Sequence, residues 1–253
     1  MPPFIILGVG LVFATFVAVF LNFRLLLYPL IPSLNPLTHA EQLNLSGSTL
    51  FISDLHLRAG GSFRFAKDLR NFAETMKVSN LVIVGDLFDS RKDARRILGN
   101  GSFQAFLEML GLYGLPINIF WVTGSPVHDP VGIAASHLQV EGVKILDQCA
   151  LLRLDRSEVI AYHGHDLSNI GAIGHAWDRF VMRLGLEKLW RQVAKADERA
   201  WVVFGHTHIP GLDVERRIAN CGGWVTVPLL VRPSGTGILF PEGQELPQLV
   251  QIS

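Results

Sequence analysis

The chain has only two cysteines, Cys149 and Cys221, in 253 residues. That excludes a disulfide-stapled scaffold and agrees with a reducing compartment. Charge of one sign is also missing. The 22 basic and 22 acidic side chains cancel, so no global field draws the protein to nucleic acid, and none is expected as a partner. No internal repeat or low-complexity tract interrupts the chain, and its length suits one large α/β domain or two small ones.

Hydrophobic side chains are plentiful, at 49% of residues, and the excess sits at the N-terminus. Phe4–Leu21 reads FIILGVGLVFATFVAVFL, with no charge and one hydroxyl, Thr15. As a helix it would span ~27 Å, against a hydrocarbon core of ~30 Å. A buried core helix would show a polar stripe, and this run has none. A cleaved signal peptide would want a basic residue before the run and a small-residue cleavage site after it. Neither is present, so residues 1–28 are expected to form an uncleaved transmembrane anchor. Arg24 follows the span, and the positive-inside rule then places the large domain in the cytoplasm of a single-pass cell-membrane protein.

Residues 29–47 carry Pro29, Pro32, Pro36 and Gly47 and read as a linker to a domain over 48–253. Short apolar runs then alternate with helical patterns. STLFIS (Ser48–Ser53), NLVIVG (Asn80–Gly85), INIFWVT (Ile117–Thr123), EVIAYH (Glu158–His163) and AWVVFG (Ala200–Gly205) read as buried strands. Between the first two, Phe65, Leu69, Phe72, Ala73 and Met76 recur at helical spacing.

Each strand runs into side chains able to bind metal. The first ends in SDLH, with Asp54 and His56, and the second in GDLFD, with Asp86 and Asp89. The third ends in GSPVHD, the fourth in HGHD from His163, and the fifth in GHTH, with His206 and His208. One strand-end aspartate is usually a cap or turn former. Five independent caps would not need four histidines and two aspartates at the same relative place. In α/β sheets, ligands gather beyond the carboxyl ends of strands, where loops converge.

The order D-x-H, G-D-x-x-D, a Gly-initiated His-Asp segment, H-G-x and G-H-x-H resembles the calcineurin-like metallophosphoesterases. IANCGGWV (Ile218–Val225) is similar to that family's late Asn-x-Gly-Ser-Trp segment, with Gly223 in place of Ser. The resemblance covers roughly Thr49 to Val227. It implies an α/β fold, a two-sheet β-sandwich flanked by helices, with two divalent metals at one edge. Carried over by position, Asp54, His56, Asp86 and His208 hold one metal. Asp86 bridges to a second, completed by His163, His206 and an asparagine from the third motif. A bridging carboxylate eases the repulsion between two dications, and imidazoles suit manganese, with iron or zinc as alternatives. Asp89 is expected to orient a ligand or hold the loop.

The third motif departs from the family pattern, which reads Gly-Asn-His-Asp or Gly-Asn-Arg-Asp. Alignment from Gly124 puts Ser125 at the asparagine, and alignment from His128-Asp129 puts Val127 there. The preferred reading gives the lost ligand position to Ser125, or to a water it holds. His128 is then the proton donor to the leaving oxygen, with Asp129 orienting its ring. A plain proline turn is the alternative.

SRKDARR (Ser90–Arg96) follows the second motif, so Arg91 and Arg95 are expected to steer a phosphate, unless they form only a solvated helix face. Residues about 166–197 carry two apolar stripes broken at Gly185. They resemble the helical cap of the bacterial UDP-diacylglucosamine pyrophosphohydrolases, or else pack on their own domain. These readings converge on a membrane-anchored phosphoesterase acting on a phosphorylated small molecule or a lipid-linked substrate. A small-molecule phosphodiesterase or phosphatase, or a non-catalytic protein-binding scaffold, are the alternatives.

Overall fold

The runs TLFI and NLVIV are apolar on both faces, as strands covered on both sides must be. In the computed structural model they form β2 (Thr49–Ile52) and β3 (Asn80–Val84), both wholly buried. The structure describes residues 27–99, 103–130, 142–166, 175, 179–180, 182–225 and 232–253. The strands β2, β3, β4 (Asn118–Val122) and β5 (Val143–Leu146) run parallel. Two antiparallel strands, β11 (Thr236–Phe240) and β12 (Gln248–Gln251), extend the sheet beyond β2. A second sheet has the order β1 (Glu41–Asn44), β6 (Cys149–Arg153), β7 (Glu158–Tyr162), β8 (Trp201–Phe204), β10 (Ile218–Asn220), β9 (Gly211–Asp213).

Side chains alternate across each strand, and the alternation sorts the core into three layers. Phe51, Val82 and Val84 face Trp201 and Val203 between the sheets. Leu50, Ile52, Leu81 and Ile83 face outward and are covered by α1 (Ala66–Thr75), α2 (Arg91–Gly99) and α3 (Phe103–Leu110). On the other side Ile160, Tyr162, Val202 and Phe204 pack against α4 (Gly185–Val193). The result is the expected two-sheet sandwich with helices on both flanks.

Two expected segments behave differently. The lead-in over residues 29–47 is part of the domain. Its 3₁₀ turns Pro32–Leu34 and Pro36–His39 lead into β1, which pairs with β6. The Tyr28 hydroxyl is buried and donates to Asp166 Oδ2 at 2.6 Å, and Asn35 donates to the Ala194 carbonyl. Of the segment expected as a cap, α4 lies on its own sheet, with Trp190 stacked on Tyr162 at 4.7 Å between centroids. Residues 167–174, 176–178 and 181 of that segment lie outside the described residues. So does Phe4–Leu21, and among the described residues no helix is long and apolar enough to cross a membrane.

Candidate metal centre

Because β2, β3 and β4 are parallel, their carboxyl ends open on one edge, and β7 and β8 bring the second sheet to the same place. The ladder continues into the loops. Asp54 N–H donates to the Gly85 carbonyl, His56 N–H to that of Asp86, and Gly205 N–H to that of His163.

The edge gathers two donor sets, Asp54 with His56 and His208, and Asp86 with His163 and His206. Each has one carboxylate and two imidazoles, with ligand atoms within 4.8 Å of one another. The sets adjoin: His163 Nε2 lies 3.2 Å from Asp86 Oδ2 and 4.0 Å from Asp54 Oδ1. His208 Nε2 is 3.2 Å from Asp54 Oδ1. Each carboxylate divides its oxygens. Asp54 Oδ2 accepts from His206 N–H, and Asp86 Oδ1 accepts from Ser125 N–H, leaving Asp54 Oδ1 and Asp86 Oδ2 for the centre.

The residues fit a pair of divalent cations. His56 Nε2 is buried without a hydrogen-bond partner, and Asp54 Oδ1 and His163 Nε2 are buried with only imidazole–carboxylate contacts of 3.2 Å or more, an arrangement that coordination would relieve. Five candidate ligands also hold left-handed backbones: Asp54 (φ 56°), His56 (45°), Asp86 (46°), His206 (66°) and His208 (58°). Non-glycine residues avoid that region, and such strain gathers at functional sites.

A family model described as calcineurin-like phosphoesterase matches residues 47–232. The chain belongs to that family. No curated protein matches the chain. Solved structures include Yfce, a phosphoesterase from E. coli, at 20% identity, covering 81% of this chain and 100% of that one, with a TM-score of 0.44. An archaeal phosphodiesterase shares 14% identity over 80% of this chain and 98% of its own, TM-score 0.45. Vps29 from Entamoeba histolytica, complexed with Zn, shares 13% over 81% and 99%, TM-score 0.41.

This chain holds its third-motif loop in a way the sequence reading did not anticipate. His128 lies at the centre, its ring 4.6 Å from that of His56 and its Nε2 3.9 Å from Asp86 Oδ2. Its Nδ1 is held by the Asp89 carbonyl at 2.8 Å, so Asp89, not Asp129, orients the ring. Asp129 is fully buried and binds elsewhere. Its Oδ1 accepts from Leu87 and Phe88 N–H, and its Oδ2 from Gly124 N–H and the Trp121 indole. That carboxylate ties the second-motif loop to the third, and the expected ring-orienting role is corrected to a loop-holding one.

Ser125 Oγ is buried and has no hydrogen-bond partner, and the Ser125 N–H, in the loop where the family's asparagine is missing, donates to Asp86 Oδ1. Gly124 permits this closeness, because a Cβ there would strike the Asp86 backbone nitrogen and Oδ1. Gly223, where the family has Ser, packs on His208, and a Cβ would come within 2.5 Å of Nδ1.

Asp89 also receives Arg58 Nε at 3.0 Å, and its Oδ1 is 3.9 Å from His56 Nδ1. Arg91 and Arg95 stand exposed on α2, whereas Arg58 is tied to Asp89 of the second-motif loop. Sequence reading passed over Arg58 although it lies two residues beyond His56, because nothing in the motif marks it. Electrostatics follow the geometry. Burial alone would lower His163, but Asp86 and Asp54 outweigh it and raise it to about 10. Burial pushes His206 down to about 3 and His56 to about 4. Burial would raise Asp86, yet His163 beside it holds the carboxyl well below the usual range. Before any cation binds, a proton on His163 supplies positive charge between the two carboxylates.

Proposed function

We propose that this chain is a membrane-tethered, two-metal phosphoesterase that hydrolyses a phosphate ester or pyrophosphate of a lipid-linked or nucleotide-containing metabolite. The observation that carries the reading is the pair of adjoining donor sets with His128 beside them. Asp54, His56 and His208 would hold one ion and Asp86, His163 and His206 the other; Asp86 would serve both, and Ser125 would complete the second set. Two ions so held supply a nucleophile at neutral pH and offset charge on the phosphoryl oxygens.

The side chains do the rest. His128 Nδ1 donates to the Asp89 carbonyl, so the ring's transferable proton is the one carried on Nε2, the nitrogen facing Asp86. From there it is delivered to the leaving oxygen. Arg58, tied to Asp89 at the rim, offers positive charge to a phosphate. The uncharged run Phe4–Leu21 supports the tether, and Arg24 supports a cytoplasmic domain. Manganese suits the mixed carboxylate and imidazole donors, as do iron and zinc.

Full-length protein purified in detergent, stripped and reloaded with Mn²⁺, is expected to take up two ions and hydrolyse an activated phosphodiester. A panel of phosphomonoesters, diesters and pyrophosphates then ranks the substrate class. Membranes are expected to retain the protein through salt and alkali washes and to release it to detergent. Uptake of no ion would remove the catalytic reading, and release by salt alone would remove the tether.

A further inference from the structure

Helix α4 turns an apolar face to the sheet, with Leu186 and Trp190 buried on it. Glu187 is buried on the same helix, at 0% exposure. A glutamate is almost never sequestered so fully without partners, and an unpaired buried carboxylate costs several kcal/mol in effective terms.

Its partners lie beneath the metal loop. Glu187 Oε1 accepts from Asn220 Nδ2 at 2.8 Å and from Thr207 Oγ1 at 3.3 Å. Asn220 Nδ2 also donates to the Gly205 carbonyl at 2.8 Å and lies 3.1 Å from Thr207 Oγ1. The Thr207 carbonyl is met by His175 Nδ1 at 2.9 Å. Thr207 stands between His206 and His208, and each of these belongs to a different donor set. Both histidines hold left-handed backbones, which the chain does not adopt unaided.

We propose that Glu187 is a positioning residue for both metals. Its carboxylate fixes the Thr207 hydroxyl and the Asn220 amide, and these hold the Gly205–His208 turn so that its two imidazoles face their respective ions. The inference rests on the two-metal reading above. It adds that a flanking helix, and not only the loops, sets the affinity of the centre. Partners that orient metal ligands typically account for 10–100-fold in affinity.

Three variants of the full-length protein test this: Glu187→Met, which keeps the volume and removes the acceptor; Glu187→Gln, which keeps an acceptor oxygen; and Thr207→Val, which removes the donor at constant shape. Mn²⁺ and Zn²⁺ affinities are read by competition with a chromophoric chelator, with thermal melting alongside. Glu187→Met and Thr207→Val are each expected to bind two ions, both about 10–100-fold more weakly. Glu187→Gln is expected to stay close to wild type. The double variant Glu187→Met/Thr207→Val should be little worse than either single change, as for one shared interaction. If Glu187→Met fails to fold, Thr207→Val decides. Wild-type affinity in Thr207→Val overturns the proposal, as does a Glu187→Gln loss equal to that of Glu187→Met. A wild-type protein that takes up no ion removes the metal reading and this inference with it. Two ions in wild type, held as tightly by the Met and Val variants, remove this inference alone.

Discussion

Replacing Asp129 by asparagine keeps the shape of the side chain and changes one oxygen into an amide nitrogen. In the native loop that carboxylate accepts four N–H groups, two on each oxygen. An asparagine can still accept from Leu87 and Phe88 through its remaining oxygen. Its NH₂ then faces the Gly124 N–H and the Trp121 indole, donor against donor. A buried donor left without an acceptor costs ~1–3 kcal/mol, so two such losses, partly relaxed, amount to about 3 kcal/mol. For a domain of this size, 1 kcal/mol moves the melting temperature by ~2–4 °C, giving a drop of roughly 6–12 °C. Calorimetry of the metal-free protein reads this directly, without interference from ion binding. The loss in hydrolysis should follow the loss of folded protein, because the His128 ring hangs on Asp89 and not on Asp129. A variant that melts within 2 °C of wild type (well below the ~6 °C expected) yet loses its rate would refute this account and return Asp129 to the chemistry.

Asp86→Ala is expected to release both ions, measured by metal analysis after gel filtration; retention of one would mean that Asp86 serves a single site. His128→Ala is expected to keep both ions and lose ~10²–10⁴-fold in rate, with a smaller loss for leaving groups that need no proton. Loss of an ion from that variant would instead make His128 the substitute for the missing asparagine. Because His163 is raised to about 10, the metal-free protein carries its proton at pH 7 and must shed it to coordinate. Ion uptake should therefore release protons, and affinity should climb with pH from neutrality towards that value. Calorimetry in buffers of different ionisation enthalpy checks this, and uptake with no proton release would contradict it.

The candidate centre was legible because the side chains that form it leave parallel strands. Asp54, His56, Asp86, His163, His206 and His208 each stand within a few residues of a buried apolar run, and parallel register brings such ends together. Asp129 was misread because its neighbour in sequence is His128, whereas its partners are the Trp121 indole and backbone groups as far away as Leu87. Glu187 was hidden for a related reason. On an amphipathic helix an acidic residue reads as solvent-facing, and only the packing of α4 shows that it points inward. β1 was obscured by the prolines before it, and its pairing with β6 spans more than a hundred residues of chain. Local pattern reports local geometry, and long-range partners leave no trace in it.

The left-handed backbones at five candidate ligands bear on how the fold is balanced. At roughly 1–2 kcal/mol each, they together amount to about 5–10 kcal/mol, comparable with the ~5–15 kcal/mol by which a whole domain is stable. The packing that holds this edge must offset that opposing term, and ions taken up by the proposed centre would add stability through binding. If the proposed ions bind, the loops that shape the candidate centre make the stability of the fold a reporter of metal occupancy.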